Sequence, residues 1–262
     1  GAADGTGEVP AENVKLAAAE EKATEKTEGT VQTVDFSTIN FTQADIGKTF
    51  YFKIVETHIP TDIDPATHIS PSDHIRYDVS EHYFTVTITS ENGALVVTKT
   101  AQTTGDGNTL AKFGNKLLGS ITVTKNVVVN GEGSDELIGE TITIGLFPGD
   151  EEPDNDAVAD DTYELEIKDA TTTETAFENL ELGTYYVYEV DENGHPIKSG
   201  ATTAIGEHVY TVSEDTPNVT LTSAAAENVE ITNAREEGSV TFSAQKTYTN
   251  GNLKDKQFYF TT

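Results

Sequence analysis

The sequence predicts an all-β protein that contains two β-sandwich domains in tandem. Apolar and polar residues alternate along many short segments rich in Val, Ile, Thr and Tyr, which are residues that suit a pleated sheet. Asn-Gly and similar turn signals separate these segments at short intervals. A phrase at Gly119–Lys125 also recurs at Gly238–Lys246. Short strands with frequent turns are typical of sandwich domains, and the repeated phrase indicates more than one of them.

The individual elements follow from the same pattern. Strands are predicted at Tyr83–Thr89, Ile121–Thr124, Ile142–Phe147 and Tyr185–Val190. Turns are predicted at Glu91–Gly93, Gly105–Asn108, Asp191–Gly194 and Thr249–Asn252. The segment Ala11–Lys26 is rich in Ala, Glu and Lys and is polar on nearly every side, so it is either a surface helix or a loop.

Composition excludes several classes of function. The chain has 262 residues, no Cys and a formal net charge of -29. Without Cys it has no disulfide, no thiolate nucleophile and no zinc–thiolate site. Its negative field repels nucleic acid and anionic lipid, so we expect neither as a partner. No apolar run approaches the roughly 20 residues of a membrane span, so we expect no membrane insertion.

The repeated phrase divides the chain into units. Each copy follows a short connection after an Asn, which is Asn115 for the first copy and Asn233 for the second. An Asn therefore closes one unit, and a Gly-Ser strand that carries a Lys opens the next. This pattern predicts a complete domain at residues 116–237.

The remaining segments are complementary. Residues 1–115 have a closing segment with Asn115 but no Gly-Ser opening strand, whereas residues 238–262 supply an opening strand with nothing after it. Placed in the other order, they form one domain. We therefore predict that residues 238–262 are a donor segment whose two strands complete a domain made by residues 1–115.

Three polar residues of the complete unit fall on strands that a sandwich can bring together. Lys125 lies on the first strand, Glu189 on a middle strand and Asn233 on the last. In the core they must satisfy one another, and two chemistries are open. In the first, the three side chains form a polar network or simply face solvent. In the second, burial makes the amine of Lys125 and the carboxyl of Glu189 neutral. In the second case the amine attacks the Asn amide, Glu189 shuttles the proton, and ammonia leaves.

The complete unit resembles the Cna B-type (SpaA-like) domains of Gram-positive pilins and adhesins. The stretches that carry the resemblance are Ile121–Lys125, Ala176–Glu189 and Ile231–Asn233. The resemblance implies an immunoglobulin-like sandwich in which Lys125 and Asn233 form an isopeptide bond and Glu189 is the catalytic residue.

The split unit resembles the streptococcal pilin isopeptide linkage domain. The matching stretches are Val240–Lys246, Leu253–Phe260, Val34–Phe41, Ile46–Glu56 and Phe113–Asn115. The resemblance implies that Lys246 is the nucleophile, Glu56 the catalytic proton shuttle and Asn115 the acceptor. Here the Lys comes last in the chain instead of first. The domain that the donor segment completes has three possible locations. It belongs to the same chain, to a neighbouring molecule in a head-to-tail filament, or to the next repeat of a longer tandem protein.

These inferences predict a structural subunit of an extracellular surface filament, on the Gram-positive cell wall or in a pilus, whose partners are copies of itself. It would not be a turnover enzyme and would need no cofactor. No metal is expected, because the six His residues show no paired spacing and the acidic run Asp150–Asp156 lacks the features of a calcium loop. The alternative is a repeat unit of a cell-wall adhesin or stalk. Its long loops at Thr57–Asp78 and Gly149–Thr162 would bind a host or matrix ligand.

Overall fold

A computed structural model describes residues 32–101, 110–214 and 216–247, together with residues 257, 259 and 261. The chain divides into unit 1 (Gly1–Leu118) and unit 2 (Gly119–Thr262), which we describe separately. The segment Ala11–Lys26, the turns at 105–108 and 249–252, and most of Leu253–Phe260 lie outside the described residues.

The described residues form fifteen strands and one short 3-10 helix at Gln43–Asp45, which confirms the all-β prediction. The strands that precede residue 110 are β1 (Thr49–Val55), β2 (Ile69–Ser70), β3 (Ile75–Arg76), β4 (Glu81–Glu91) and β5 (Ala94–Ala101). Those that follow are β6 (Lys116–Val129), β7 (Glu132–Gly133), β8 (Thr141–Pro148), β9 (Asp161–Glu166), β10 (Thr171–Glu181), β11 (Gly183–Glu189), β12 (Thr202–Ile205), β13 (His208–Glu214), β14 (Asn218–Leu221) and β15 (Ala226–Arg235). No described helix is long and apolar enough to cross a membrane.

In unit 1, β1, β4 and β5 form an antiparallel sheet in the order β1-β4-β5. Strand β4 buries every second side chain, because successive residues of a strand point to opposite faces. Asn92 and Gly93 join β4 to β5 with φ angles of 51° and 82°, the left-handed values of a tight hairpin turn. The predicted strand at 83–89 and the predicted turn at 91–93 are therefore confirmed.

The segment predicted as a long loop at Thr57–Asp78 contains two short strands. Strand β2 pairs with β3, and β3 pairs with the first residues of β6 through Ile75 and Leu117. Ile69 and Ser70 are buried, so this hairpin is anchored by its own core contacts. The strands are two residues long, which is too short for an alternating pattern to reveal them.

Unit 2 is a sandwich of two sheets. One sheet has the order β12-β13-β15-β6, with β7 and β10 also paired to β6, and the other has the order β14-β11-β8-β9. The inward side chains of both sheets form one apolar core, which includes Val123, Ile144 and Val187. The predicted strands at 121–124, 142–147 and 185–190 lie in β6, β8 and β11, with Val190 just past the end of β11.

The first and last strands of unit 2 are neighbours, as the sequence analysis expected. Strand β15 runs parallel to β6, in register from Ala226 opposite Ser120 to Arg235 opposite Val129. At the start of this pairing, a Cβ atom on Gly119 would lie 2.9 Å from the carbonyl oxygen of Ser223. This close approach explains why the residue at position 119 is a Gly.

The second copy of the phrase has a different environment. Residues 236–247 form no strand, although Val240–Lys246 was expected to be one. Val240 is 73% exposed and Phe242 is 76% exposed. A strand requires a hydrogen-bonded neighbour, and strand-forming composition alone does not supply one.

Candidate isopeptide cross-link sites

Lys125 occupies a core position of β6. The inward residues of this strand are apolar from Ile121 onwards, and Lys125 continues the row with no exposed surface. The strand alternation thus forces an amine into the sandwich core. A buried amine needs partners that accept hydrogen bonds, because burial without them is costly.

Asn233 and Glu189 supply those partners. In the register of β15 with β6, Ile231 lies opposite Lys125, so Asn233 is two residues further along on the same face. Glu189 ends β11 in the facing sheet. The Lys125 Nζ donates to Asn233 Oδ1 at 2.7 Å and to Glu189 Oε2 at 2.8 Å. The structure therefore brings together the three residues that were predicted to meet.

Burial sets the chemistry of this cluster. Lys125 and Asn233 are 0% exposed and Glu189 is 2% exposed. Desolvation lowers the pKa of Lys125 and outweighs the charge and hydrogen bond of Glu189, which act in the opposite direction. The Nδ2 of Asn233 is buried and has no hydrogen-bond partner. An amine whose charge is disfavoured thus lies against an amide whose nitrogen is unsatisfied.

Glu214 is a further carboxylate of this site that the sequence analysis missed. It ends β13 at an inward position, following Tyr210 and Val212, which are both fully buried. It lies directly opposite Ile231 of β15, which in turn lies opposite Lys125. The signal was available in the sequence, because the alternation of His208–Glu214 places a Glu on the apolar face of a strand.

Unit 1 contains the second predicted acceptor. Asn115 Nδ2 donates to Glu56 Oε1 at 2.6 Å, so the structure brings these two predicted residues together. Asn115 is exposed, and Glu56 is partly buried with its Oε2 inaccessible and unpartnered. The amide of this pair is open to solvent, unlike the amide of Asn233.

Asp78 holds Asn115 in place. The backbone N–H of Asp78 donates to Asn115 Oδ1 at 2.8 Å, while Asp78 Oδ2 accepts the backbone N–H of Gly114 at 3.0 Å. Asp78 Oδ1 accepts the backbone N–H of Ser80 at 3.0 Å. A backbone donor on the amide oxygen would stabilise the negative charge that develops there during nucleophilic attack. The sequence analysis did not identify this residue.

Lys246, the third residue predicted for this second site, is exposed and lies outside every described strand. It belongs to unit 2, whereas Glu56 and Asn115 belong to unit 1. The pairing of Lys246 with Asn115 therefore stays a prediction.

Comparison with known proteins gives a family match over unit 1. Residues 3–117 match the family model FctA, described as a Spy0128-like isopeptide containing domain. The prediction of a pilin isopeptide domain in this part of the chain is confirmed. The roles of individual residues and the Cna B-type resemblance of residues 116–237 stay predictions. No curated protein matches the chain significantly.

The solved structures similar to this chain include major pilins of Streptococcus pyogenes. One is 18% identical, with a TM-score of 0.22, and the match covers 72% of this chain and 68% of that one. Two others are 15% and 16% identical, both with a TM-score of 0.24 and 78% of this chain covered. The matches cover 70% and 75% of those two pilins. Because both the sequence identities and the TM-scores are low, we draw no conclusion about this chain from these matches.

Proposed function

We propose that this protein is a structural subunit of an extracellular Gram-positive surface filament of the pilus type, stabilised by isopeptide bonds that it forms itself. The observation that carries the proposal is the buried contact of Lys125 with both Glu189 and Asn233. The family match of residues 3–117 supports the same class of protein.

The geometry of unit 2 supports a complete reaction. A proton passes from the Lys125 ammonium to Glu189, which leaves both groups neutral. The lone pair of Nζ forms a bond with Cγ of Asn233, and Glu189 returns a proton to Nδ2. The Cγ–Nδ2 bond then breaks and ammonia departs. The second proton of Nζ passes to a carboxylate of the buried cluster, which leaves a neutral amide between the two side chains. Glu189 acts once and on its own chain, so the protein is structural and has no turnover substrate.

The unsatisfied amide nitrogen favours the covalent product over a permanent polar network. In the unlinked state, the buried Asn233 Nδ2 costs about 1–3 kcal/mol, because it has lost water and gained no partner. The reaction removes this atom as ammonia. It also replaces a buried ion pair, whose desolvation offsets much of its attraction, with a neutral bond.

Assembly would use the donor segment. Val240 and Phe242 alternate along it and are largely exposed, as expected for a strand whose partner sheet belongs to another molecule. The solvent-open amide of Asn115, held by Glu56 and Asp78, is the matching acceptor. Insertion of this segment into unit 1 of a neighbour would repeat head to tail and give a filament, and a Lys246–Asn115 bond would make the filament covalent.

The test is the mass of the protein under denaturing conditions. Loss of one ammonia from the recombinant chain, with peptide mapping that joins Lys125 to Asn233, supports the reaction in unit 2. A ladder in boiled native material, with Lys246 joined to Asn115, supports assembly. The plain sequence mass with no ladder would overturn the proposal.

A matched pair of substitutions tests the assembly step. Lys246→Ala removes the proposed nucleophile, whereas Lys254→Ala makes the same change eight residues later. Loss of the ladder only in the first variant identifies the amine. A saturable ligand without a ladder would instead favour an adhesin, and continuation of native Thr262 by a peptide bond would favour a tandem repeat.

A further inference from the structure

The row Glu214, Ile231, Lys125 crosses three adjacent strands of unit 2. Each pair is in direct register, so the three side chains point to the same face of the sheet. That face is the core face, because Lys125 and Ile231 are fully buried there. Neighbouring strands lie about 4.8 Å apart, which places the Cα atoms of the outer two residues about 10 Å apart. The charges of Lys125 and Glu214 interact across this separation.

One oxygen of Glu214 is left without a partner. Oε1 is inaccessible to solvent and accepts no hydrogen bond, although the backbone N–H groups of Ser199 and of Glu214 itself interact with the carboxylate. A buried carboxylate oxygen that no donor satisfies is costly in a folded core. This group lies in the same row as the buried amine, two strands away, and its burial needs a chemical explanation.

The amine of Lys125 must lose two protons in the proposed reaction, and only one of them leaves with ammonia. After the first proton transfer Glu189 is protonated, which is the form that must donate to the departing nitrogen. The amine that has attacked the amide still carries a proton that it must lose. A second carboxylate near the amine can take that proton while Glu189 is still protonated, so that the two proton transfers need not follow one another.

We infer that Glu214 is this second base, the carboxylate that takes the last proton from Nζ of Lys125 while Glu189 protonates the leaving nitrogen of Asn233. The inference rests on the proposed function. The protons balance, because Nζ loses two. One reaches ammonia through Glu189, and the other ends on Glu214 directly or through one water. The Nζ–Cγ bond forms, the Cγ–Nδ2 bond breaks, and no oxidant or cofactor is needed.

The surroundings suit this role at neutral pH. Burial raises the pKa of Glu214 to about 7, with the negative charge of Glu189 adding to the shift and the positive charge of Lys125 opposing it. Tyr188, next to Glu189 on β11, is a further titratable group that interacts with Glu214. A base whose pKa lies near the working pH combines a large ionised fraction with good proton affinity.

The experiment follows ammonia loss in the full chain. Protein made in a short pulse of cell-free synthesis is transferred to buffers between pH 5 and pH 9, and intact mass is recorded over time. The wild type is compared with Glu214→Gln, which keeps the shape but cannot accept the proton, and with Glu214→Asp, which keeps the base. Glu227→Gln, an exposed change on β15, is the control.

We expect Glu214→Gln to form the bond about tenfold more slowly or worse, and to lose a rise in rate near neutral pH that the wild type shows. Glu214→Asp should retain that rise. Equal rates and equal pH profiles in the wild type and Glu214→Gln would overturn this inference and leave the proposed function intact. If the wild type itself never loses ammonia, the proposed function fails first, so the two failures are distinguishable.

Discussion

Lys125 Nζ donates a hydrogen bond to Asn233 Oδ1 over 2.7 Å, although the two residues are 108 positions apart in the chain. This contact ties the first strand of unit 2 to the last. It depends on a parallel register that sets Asn233 two residues beyond the position opposite Lys125.

Glu189→Gln should prevent the cross-link, because an amide cannot shuttle the proton. By the loop-closure relation, a link across a loop of about 100 residues stabilises by about 4.7 kcal/mol, so the variant should lose stability of this order. Intact mass and urea unfolding measure the two effects. Asn233→Asp is a second variant for the same measurements, because it replaces the acceptor amide with a carboxyl group. Full ammonia loss in Glu189→Gln would contradict the assigned role.

Gly145→Ala should destabilise unit 2 and slow bond formation. A Cβ atom at Gly145 would lie 2.4 Å from Val190 Cγ1 and 2.8 Å from Ala159 Cβ. Val190 directly follows Glu189, so relief of this clash would move the carboxylate proposed as the proton shuttle. The free energy of unfolding of unit 2 should fall by about 1–3 kcal/mol. Gly183→Ala on β11 is the matched control, since a Cβ there meets nothing within 4 Å, and thermal unfolding should separate the two variants.

Glu136 should make unit 2 sensitive to acid. Hydrogen bonds from Arg235 lower the pKa of Glu136 to about 2, and Tyr210 donates to the same carboxylate. A lowered folded-state pKa stabilises the protein above the unfolded pKa, near 4.5, and this contribution disappears as the pH falls from about 4.5 to about 2.

The Glu136→Gln variant tests that dependence. Because the carboxylate is partly solvent-screened, the variant should lose only about 1 kcal/mol at pH 7 and nothing near pH 2. Urea unfolding at both pH values measures the difference. Glu178→Gln, an exposed change on β10, should have little effect at either pH. An equal loss for Glu136→Gln at pH 2 would show that the ion pair is not the cause.

The two glycines that open the repeated phrase should respond differently to the same substitution. Gly119→Ala should destabilise the subunit, because the new Cβ meets the Ser223 carbonyl oxygen at 2.9 Å. Gly238→Ala should leave the melting temperature unchanged, since nothing lies within 4 Å of a Cβ there. If Gly238 occupies the equivalent place in a neighbouring domain, the second variant should still impair polymer formation. Normal polymer from Gly238→Ala would argue against strand donation.

Much of unit 2 could be predicted from the sequence because its strands are long and alternate cleanly. The burial pattern of β6 follows its composition residue by residue, so Lys125 stands out as an amine in an apolar row. The same rule applies to Glu214, which the resemblance does not include because it concerns only three residues of the unit. Asp78 could not be found this way, since its contact with Asn115 uses a backbone group that every residue carries.

The C-terminal segment shows the limit of local pattern. Val240 and Phe242 have the spacing and the side chains of a strand, yet residues 236–247 are not part of any sheet. Sheet formation is a property of a pair of chain segments, because the backbone hydrogen bonds must be exchanged with a partner. The sequence of one segment thus predicts that it can pair, but it does not predict which segment it pairs with.

The parallel pairing of β6 with β15 has a mechanical consequence. Pulling on the start of β6 and on the end of β15 loads their hydrogen bonds, from Ala226 to Arg235, in shear, so all of them resist together instead of opening one by one. A covalent bond between Lys125 and Asn233 would lie on this same line of force. Tension would then pass from one strand to the other through an amide. The strands between Lys125 and Asn233 would bear no force, and the domain would transmit tension without extending.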